Sequence, residues 1–179
     1  SVISGGRPVF NVPSEFVTLF SSGRIFGIPA PVLIAAAICI LLHFVLERTV
    51  FGRLLYLVGS NPRAAHVAGH DTRRILAGAF VIAGSLVALS ALLLTARTGT
   101  GEPNLGSNLL LQAIASAVIG GVSLSGGRGT VWQAVFGTLT IAILSNVLNL
   151  MQVSGYIQQI ILGAVIIMAL WLERLRPGL

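Results

Sequence analysis

Long apolar runs alternate with short polar segments along this chain of 179 residues. A helix that crosses the hydrocarbon core of a bilayer, roughly 30 Å thick, needs about 20 predominantly apolar residues. The runs that reach or approach this length lie at residues 31–50, 75–94, 109–124, 131–151 and 157–172. The pattern therefore predicts an all-α integral membrane protein with about five transmembrane helices.

The composition excludes several other classes of protein. Hydrophobic residues make up 55% of the chain and charged residues only 9%, and the mean hydropathy is +0.93. Soluble domains contain about 25% charged residues, so a soluble globular domain is excluded. A disordered chain would need low hydrophobicity, and the single Cys39 excludes a scaffold held by disulfides.

The arginines predict the orientation of the chain in the membrane. All eleven basic residues are Arg, and they lie between the apolar runs. Cytoplasmic segments are enriched in Arg and Lys. Alternate segments divide the arginines eight to three: Arg48, Arg53, Arg63, Arg73, Arg74, Arg128, Arg174 and Arg176 against Arg7, Arg24 and Arg97. We therefore expect Ser1 outside and the C-terminus in the cytoplasm, and no nucleic-acid partner, because the arginines form no continuous stripe.

Few side chains in the predicted spans could carry chemistry. His43 is the only acid or base well inside a span, and a lone His near a helix end is more often a packing residue than part of a proton relay. The sequence contains no cluster of His, Cys and acids that would predict a metal site or a catalytic set. The sequence thus predicts no metal, no catalytic residue and no enzyme activity of its own.

Uncharged polar residues are candidates for a translocation path. Asn146 and Asn149 are three residues apart and share a helix face, and Gln112 and Ser116 are four apart on another helix. These side chains would either line a path for a hydroxylated solute or hold helices together by hydrogen bonds. The spacing alone favours the second interpretation.

The segment between the first two predicted spans, residues 52–74, contains the signals of a short helix. Asn61 is a suitable N-cap, Pro62 suits the first helical position, and Gly69 suits the position after the C-cap. The intervening residues, which include small side chains at spacings that suggest adjoining faces, are Arg63, Ala64, Ala65, His66, Val67 and Ala68. A plain connector and a helix that docks into a partner's groove both fit this pattern.

Three stretches resemble the monosaccharide ABC importer permeases of the ribose, xylose and arabinose type, which are related to branched-chain amino acid permeases. The first is residues 52–69, with Tyr-Leu-Val-Gly-Ser-Asn-Pro from Tyr56. The second is the Gly-rich stretch at residues 120–129, the most specific of the three. The third combines Asn146, Asn149, Leu150, Val153, Tyr156 and Gln158. His70 departs from the family, which usually has an aliphatic residue at this position.

This resemblance implies an architecture and a set of partners. The chain, residues 1–179, would be the C-terminal half of a permease domain, with further spans before Ser1. The helix at residues 61–69 would be the coupling helix that sits in a cleft of a cytoplasmic ABC ATPase. A periplasmic sugar-binding protein and a second permease subunit, identical or different, would complete a transporter in the lipid of the bacterial inner membrane. The chain would hold no cofactor, because ATP binds to the ATPase.

The expected function is thus the permease subunit of an ATP-driven importer for a monosaccharide. A permease for a branched-chain amino acid, a nucleoside or another small solute is an alternative within the same family. A structural membrane protein whose short helix recruits a partner is the alternative from another class. Co-purification with an ATPase and ATP hydrolysis that depends on the solute would separate these functions.

Overall fold

The computed structural model describes residues 9–10, 23–25, 27–101, 106 and 109–175. Over these residues the chain is predominantly helical. The helices are α1 Ala30–Arg48, α2 Val50–Ser60, α3 Pro62–Val67, α4 Thr72–Thr98, α5 Leu109–Ile119, α6 Val131–Leu150 and α7 Gly155–Leu175. The short strands are β1 Val9–Phe10, β2 Arg24–Ile25, β3 Ile28–Pro29 and β4 Thr100–Gly101. The predicted all-α membrane fold is confirmed.

Among the described residues, α1, α4 and α6 are long and apolar enough to cross a membrane, as judged by length and composition. Their bounds agree with three of the predicted spans, although α4 extends beyond residues 75–94 at both ends. Many of their large apolar side chains face outward, such as Phe80, which is 76% exposed. Such faces are compatible with lipid or with other helices.

The third predicted span, residues 109–124, is wrong in its extent, because α5 ends at Ile119. The amide of Val122 donates to Ala117 and that of Gly121 to Val118, with Gly121 at φ +83°. This is the Schellman motif that closes a helix. At 1.5 Å per residue, the 11 residues of α5 extend about 16 Å, roughly half the hydrocarbon core. Five complete crossings therefore stay a prediction.

The loops meet at two opposite ends of the helices. At one end, β1 pairs with β4, and β2 pairs with β3 just before α1 begins. At the other end lie α2, α3 and the loop between α5 and α6, residues 120–130, which we call the glycine loop. Arg63 and Arg128, which both belong to the larger set of arginines, thus lie at the same end, as the division of the arginines requires.

Two small apolar clusters hold the described part of the chain together. Val58 of α2, Ala65 of α3 and Ile75 of α4 form the first, beside the glycine loop. The second joins the three C-terminal helices through Ala115, Ile141 and Leu162. The first cluster fixes α3 against α2 and α4, and it therefore determines which face of α3 stays open.

Candidate functional site

The short helix α3 has well-formed ends, as its sequence predicts. The side chain of Asn61 accepts a hydrogen bond from the amide of Ala64 at 3.0 Å, and Pro62 occupies the first helical position. At the other end, the amides of Gly69 and His70 donate to His66 and Ala65, with Gly69 at φ +85°. The caps satisfy backbone groups that six helical residues would otherwise leave unpaired.

Ala65, one of the small residues of the predicted docking helix, does not lie on its exposed side. It is 0% exposed and packs against Val58 and Ile75 within the chain itself. Apart from Pro62, the exposed residues of α3 and its C-cap position are Arg63, Ala64, His66, Val67 and Ala68. We call these five residues the α3 face. Val67 is 88% exposed and is the large apolar side chain of this face.

The glycine loop packs directly on the C-terminal end of α2. A Cβ at Gly59 would lie 2.7 Å from the backbone nitrogen of Gly127, and one at Gly126 would lie 2.8 Å from the Gly59 carbonyl oxygen. Gly126 and Gly127 also have positive φ, +89° and +75°. Glycine is required here both for backbone conformation and for close approach. The sequence identifies residues 52–69 and residues 120–129 as separate motifs, and it does not predict that they are in contact.

A side-chain hydrogen bond adds to this contact. The Tyr56 hydroxyl donates to the carbonyl oxygen of Gly129, across 73 positions of sequence. Burial, and secondarily the Glu47 carboxylate, raises the pKa of Tyr56 above its ordinary 10.0. The phenol therefore stays protonated and able to donate at neutral pH.

We expect Tyr56→Phe to lower the free energy of unfolding by about 1 kcal/mol, because it removes the hydrogen bond but keeps the ring. The raised pKa of Tyr56 contributes to the free energy of unfolding. This contribution is fully present below pH 10.0 and is lost as the pH rises through the pKa of Tyr56 in the folded state. Denaturant unfolding in detergent at neutral and alkaline pH measures both effects. Tyr156→Phe is the control, since Tyr156 is 83% exposed, and an equal loss in both variants would contradict the role of Tyr56.

His43 has a carboxylate neighbour, contrary to the expectation of a lone His. Its Nδ1 lies 3.2 Å from Oε1 of Glu47, one turn further along α1, although this contact is not a well-aligned hydrogen bond. The His43 ring also meets the Trp132 ring edge-on, with centroids 5.8 Å apart. His43 thus joins α1 to the start of α6, which fits the packing role that the sequence favours.

The four candidate path residues do not all line one groove. Gln112 and Ser116 line a groove of about 300 Å³ between α5 and α6. Asn146 and Asn149 are absent from its lining. Asn149 instead accepts a hydrogen bond from the Gln158 amide at 3.0 Å, across the turn between α6 and α7. For Asn149, the interpretation as a link between helices therefore has a direct contact in its support.

Thr138 and Ser145 line the same groove, and neither is among the residues predicted from the sequence. Their spacing of seven residues places them on one face of α6, and this spacing was the available signal. Within the described ranges, no group of three or more His, Cys, Asp and Glu residues is placed to hold a metal ion.

Comparison with known proteins assigns the chain to a family. Residues 1–170 match the family described as the branched-chain amino acid transport system permease component. The chain belongs to this family of membrane permeases. No solved structure matches the chain at a significant level.

Several relatives are sugar permeases by name. The chain is 37% identical over 174 residues to the D-allose transport system permease protein AlsC of Escherichia coli, covering 97% of this chain and 53% of that protein. It is 36% identical to the ribose import permease protein RbsC of Bacillus subtilis, covering 97% and 54%. The xylose transport system permease protein XylH of Haemophilus influenzae is 42% identical over 147 residues, with 82% and 39% covered. The chain thus spans about half the length of AlsC and RbsC.

Proposed function

We propose that this chain is part of the permease subunit of an ATP-driven importer for a monosaccharide. The observation that carries the proposal is the similarity along 97% of the chain to permeases named for allose and ribose. The exposed and capped α3 supports the coupling part of the function, because a short rigid helix at one end of the bundle suits a groove in a partner.

The mechanism we propose assigns motion to this chain and hydrolysis to its partners. Two cytoplasmic ABC ATPase subunits bind ATP. Each of them contacts the α3 face of one permease subunit. Their movement passes from α3 through the cluster of Val58, Ala65 and Ile75 to α2 and α4, and through Tyr56 to the glycine loop and α6. A periplasmic binding protein delivers the solute to the opposite end, between two permease subunits in the inner membrane.

Uptake by the whole transporter tests this function. The complete permease, its ATPase and its binding protein, reconstituted in liposomes, should accumulate at least one of D-ribose, D-xylose and D-allose when ATP is supplied. The family description favours a second candidate, a branched-chain amino acid, so labelled leucine is assayed in parallel. Uptake of leucine without any of the sugars would replace the proposed substrate class, and no ATPase association would contradict the importer function.

We further propose that α2, α3 and the glycine loop face the cytoplasm. With Cys39 replaced, Thr98→Cys should react with an impermeant thiol reagent in intact cells, and Ala68→Cys should react only after permeabilisation. Both positions are exposed. Thr98 is the last residue of α4, and Ala68 lies just before the opposite end of that helix. Glycine-loop positions are unsuitable, since a Cβ at Gly127 would meet the backbone of Ser60. The reverse labelling pattern would contradict the orientation.

A further inference from the structure

The groove between α5 and α6 is built from one face of each helix. Both sets of lining residues follow the spacing i, i+3, i+4, i+7, which marks a single helical face. The set on α5 is Leu109, Gln112, Ala113 and Ser116, and the set on α6 is Thr138, Ile141, Ala142 and Ser145. The volume, about 300 Å³, lies at the lower end of the range of about 300–1,000 Å³ for ligand pockets.

The two helices are in close contact near the glycine loop. A Cβ at Gly137 would collide with the backbone of Ser116, and one at Gly120 with the backbone of Gln133. Ser116 and Thr138 therefore lie toward this end of the groove, and Ser145 lies toward the other. Seven residues at 1.5 Å each place Thr138 and Ser145 about 10 Å apart along α6, with the apolar Ile141 and Ala142 between them.

The hydrogen bonds of the groove determine what its hydroxyl groups offer to a solute. Ser116 Oγ donates to the Gln112 backbone carbonyl at 2.7 Å, and Thr138 Oγ1 donates to the Ala134 carbonyl at 2.8 Å. Each hydroxyl hydrogen is thus used within its own helix, and the oxygen presents lone pairs. The Gln112 side chain adds both an amide donor and a carbonyl acceptor. A solute with several hydroxyl groups has the matching donors and acceptors.

Among the residues that the structure describes, the eight that line the groove include no charged side chain. A zwitterionic amino acid would lose the hydration of its ammonium and carboxylate groups here without gaining an opposite charge, which is costly in a medium of low polarity. A neutral polyol would meet a mostly apolar wall with polar groups at both ends. A site without charges would hold such a solute weakly enough for it to leave again.

We propose that this groove is a solute subsite, in which Gln112, Thr138 and Ser145 contact a neutral polyhydroxylated solute of monosaccharide size. This proposal rests on the proposed transport function and makes it more specific, because it selects the sugar over the amino acid. Thr138 and Ser145 are then residues of the translocation route, and Asn149 is a structural residue at the turn between α6 and α7.

Thr138→Val tests the proposal with a matched control. The change replaces a hydroxyl by a methyl group of similar shape, and Thr140→Val makes the same change on α6 outside the groove, where Thr140 Oγ1 donates to Phe136 at 2.9 Å. In the complete transporter in liposomes, uptake of D-ribose, D-xylose or D-allose should fall at least fivefold for Thr138→Val. It should stay within twofold of the unsubstituted protein for Thr140→Val. Equal uptake by the two variants at equal abundance would overturn the proposal.

Thiol accessibility gives a second readout that does not depend on transport. In the complete transporter with Cys39 replaced, Thr138→Cys should react with a water-soluble methanethiosulfonate at least tenfold faster than Thr140→Cys, and the transported sugar should slow the reaction. Equal, slow labelling would show that another helix or lipid covers the groove, and this too would overturn the proposal. If the unsubstituted protein accumulates none of the three sugars, the proposed transport function fails, while rapid labelling of Thr138→Cys would still support a water-filled groove.

Discussion

Replacing Val67 with Asp is expected to abolish binding of the ATPase while the chain remains folded. Val67 is 88% exposed on the α3 face, so the change removes no contact within the described structure. In the proposed complex, the carboxylate would be buried against a partner without an opposite charge. Such burial costs about 3 kcal/mol, which corresponds to roughly a hundredfold weaker binding. ATPase pull-down and sugar uptake, both normalised to membrane abundance, measure the effect.

Two further variants make this result specific. Val67→Ala should weaken ATPase binding only modestly, because it removes apolar area without adding a charge. Ala65→Glu should instead lower membrane abundance, since Ala65 is 0% exposed and its side chain has no room between Val58 and Ile75. Normal ATPase binding and normal uptake by Val67→Asp would exclude the α3 face as the coupling surface.

Gly127→Ala is expected to prevent the glycine loop from docking on α2. Gly127 has φ +75°, and an added Cβ would lie 2.6 Å from Cα and 2.7 Å from the backbone nitrogen of Ser60. Because the obstacle is backbone rather than a flexible side chain, α2 and the loop would have to separate. Backbone strain and overpacking together cost roughly 2–5 kcal/mol, a large part of the stability of a domain. Membrane abundance and the thermal midpoint in detergent should both fall.

Gly84→Ala serves as the control for this experiment. Gly84 lies within α4, and a Cβ there would have nothing within 4 Å. Ala is the better helix former, so this variant should match or slightly exceed the unsubstituted protein in stability. Equal thermal midpoints for Gly127→Ala and Gly84→Ala would show that the contact between the glycine loop and α2 contributes nothing to stability.

Local signals in the sequence were sufficient for the elements that depend on local physics. The apolar runs at residues 31–50, 75–94 and 131–151 correspond to α1, α4 and α6. A membrane-spanning helix needs a certain length and a mostly apolar composition, and both are visible in the sequence. The caps of α3 at Asn61 and Gly69 were predicted for the same reason, since each acts on the backbone within a few residues.

The same local approach was less successful where a helix ends or starts inside an apolar stretch. Residues 109–124 are apolar almost throughout, yet α5 stops at Ile119 because Gly121 takes a left-handed conformation. Residues 52–60 fall within the predicted segment between two spans, yet they belong to α2, which begins at Val50 after a break at Thr49, whose hydroxyl caps the amide of Gly52. Hydropathy measures how apolar a segment is. It contains little information about the residue at which a helix begins or ends.

The sequence by itself determined the class of protein, the three long apolar helices and the ends of α3, because hydropathy and capping act over a few neighbouring residues. Only the tertiary structure decided that Ala65 is buried and Val67 exposed, that the glycine loop touches α2, and that Thr138 joins Gln112 at one groove. These contacts join residues far apart in the chain, such as Tyr56 and Gly129. They depend on how helices pack, and no short stretch of sequence contains that information.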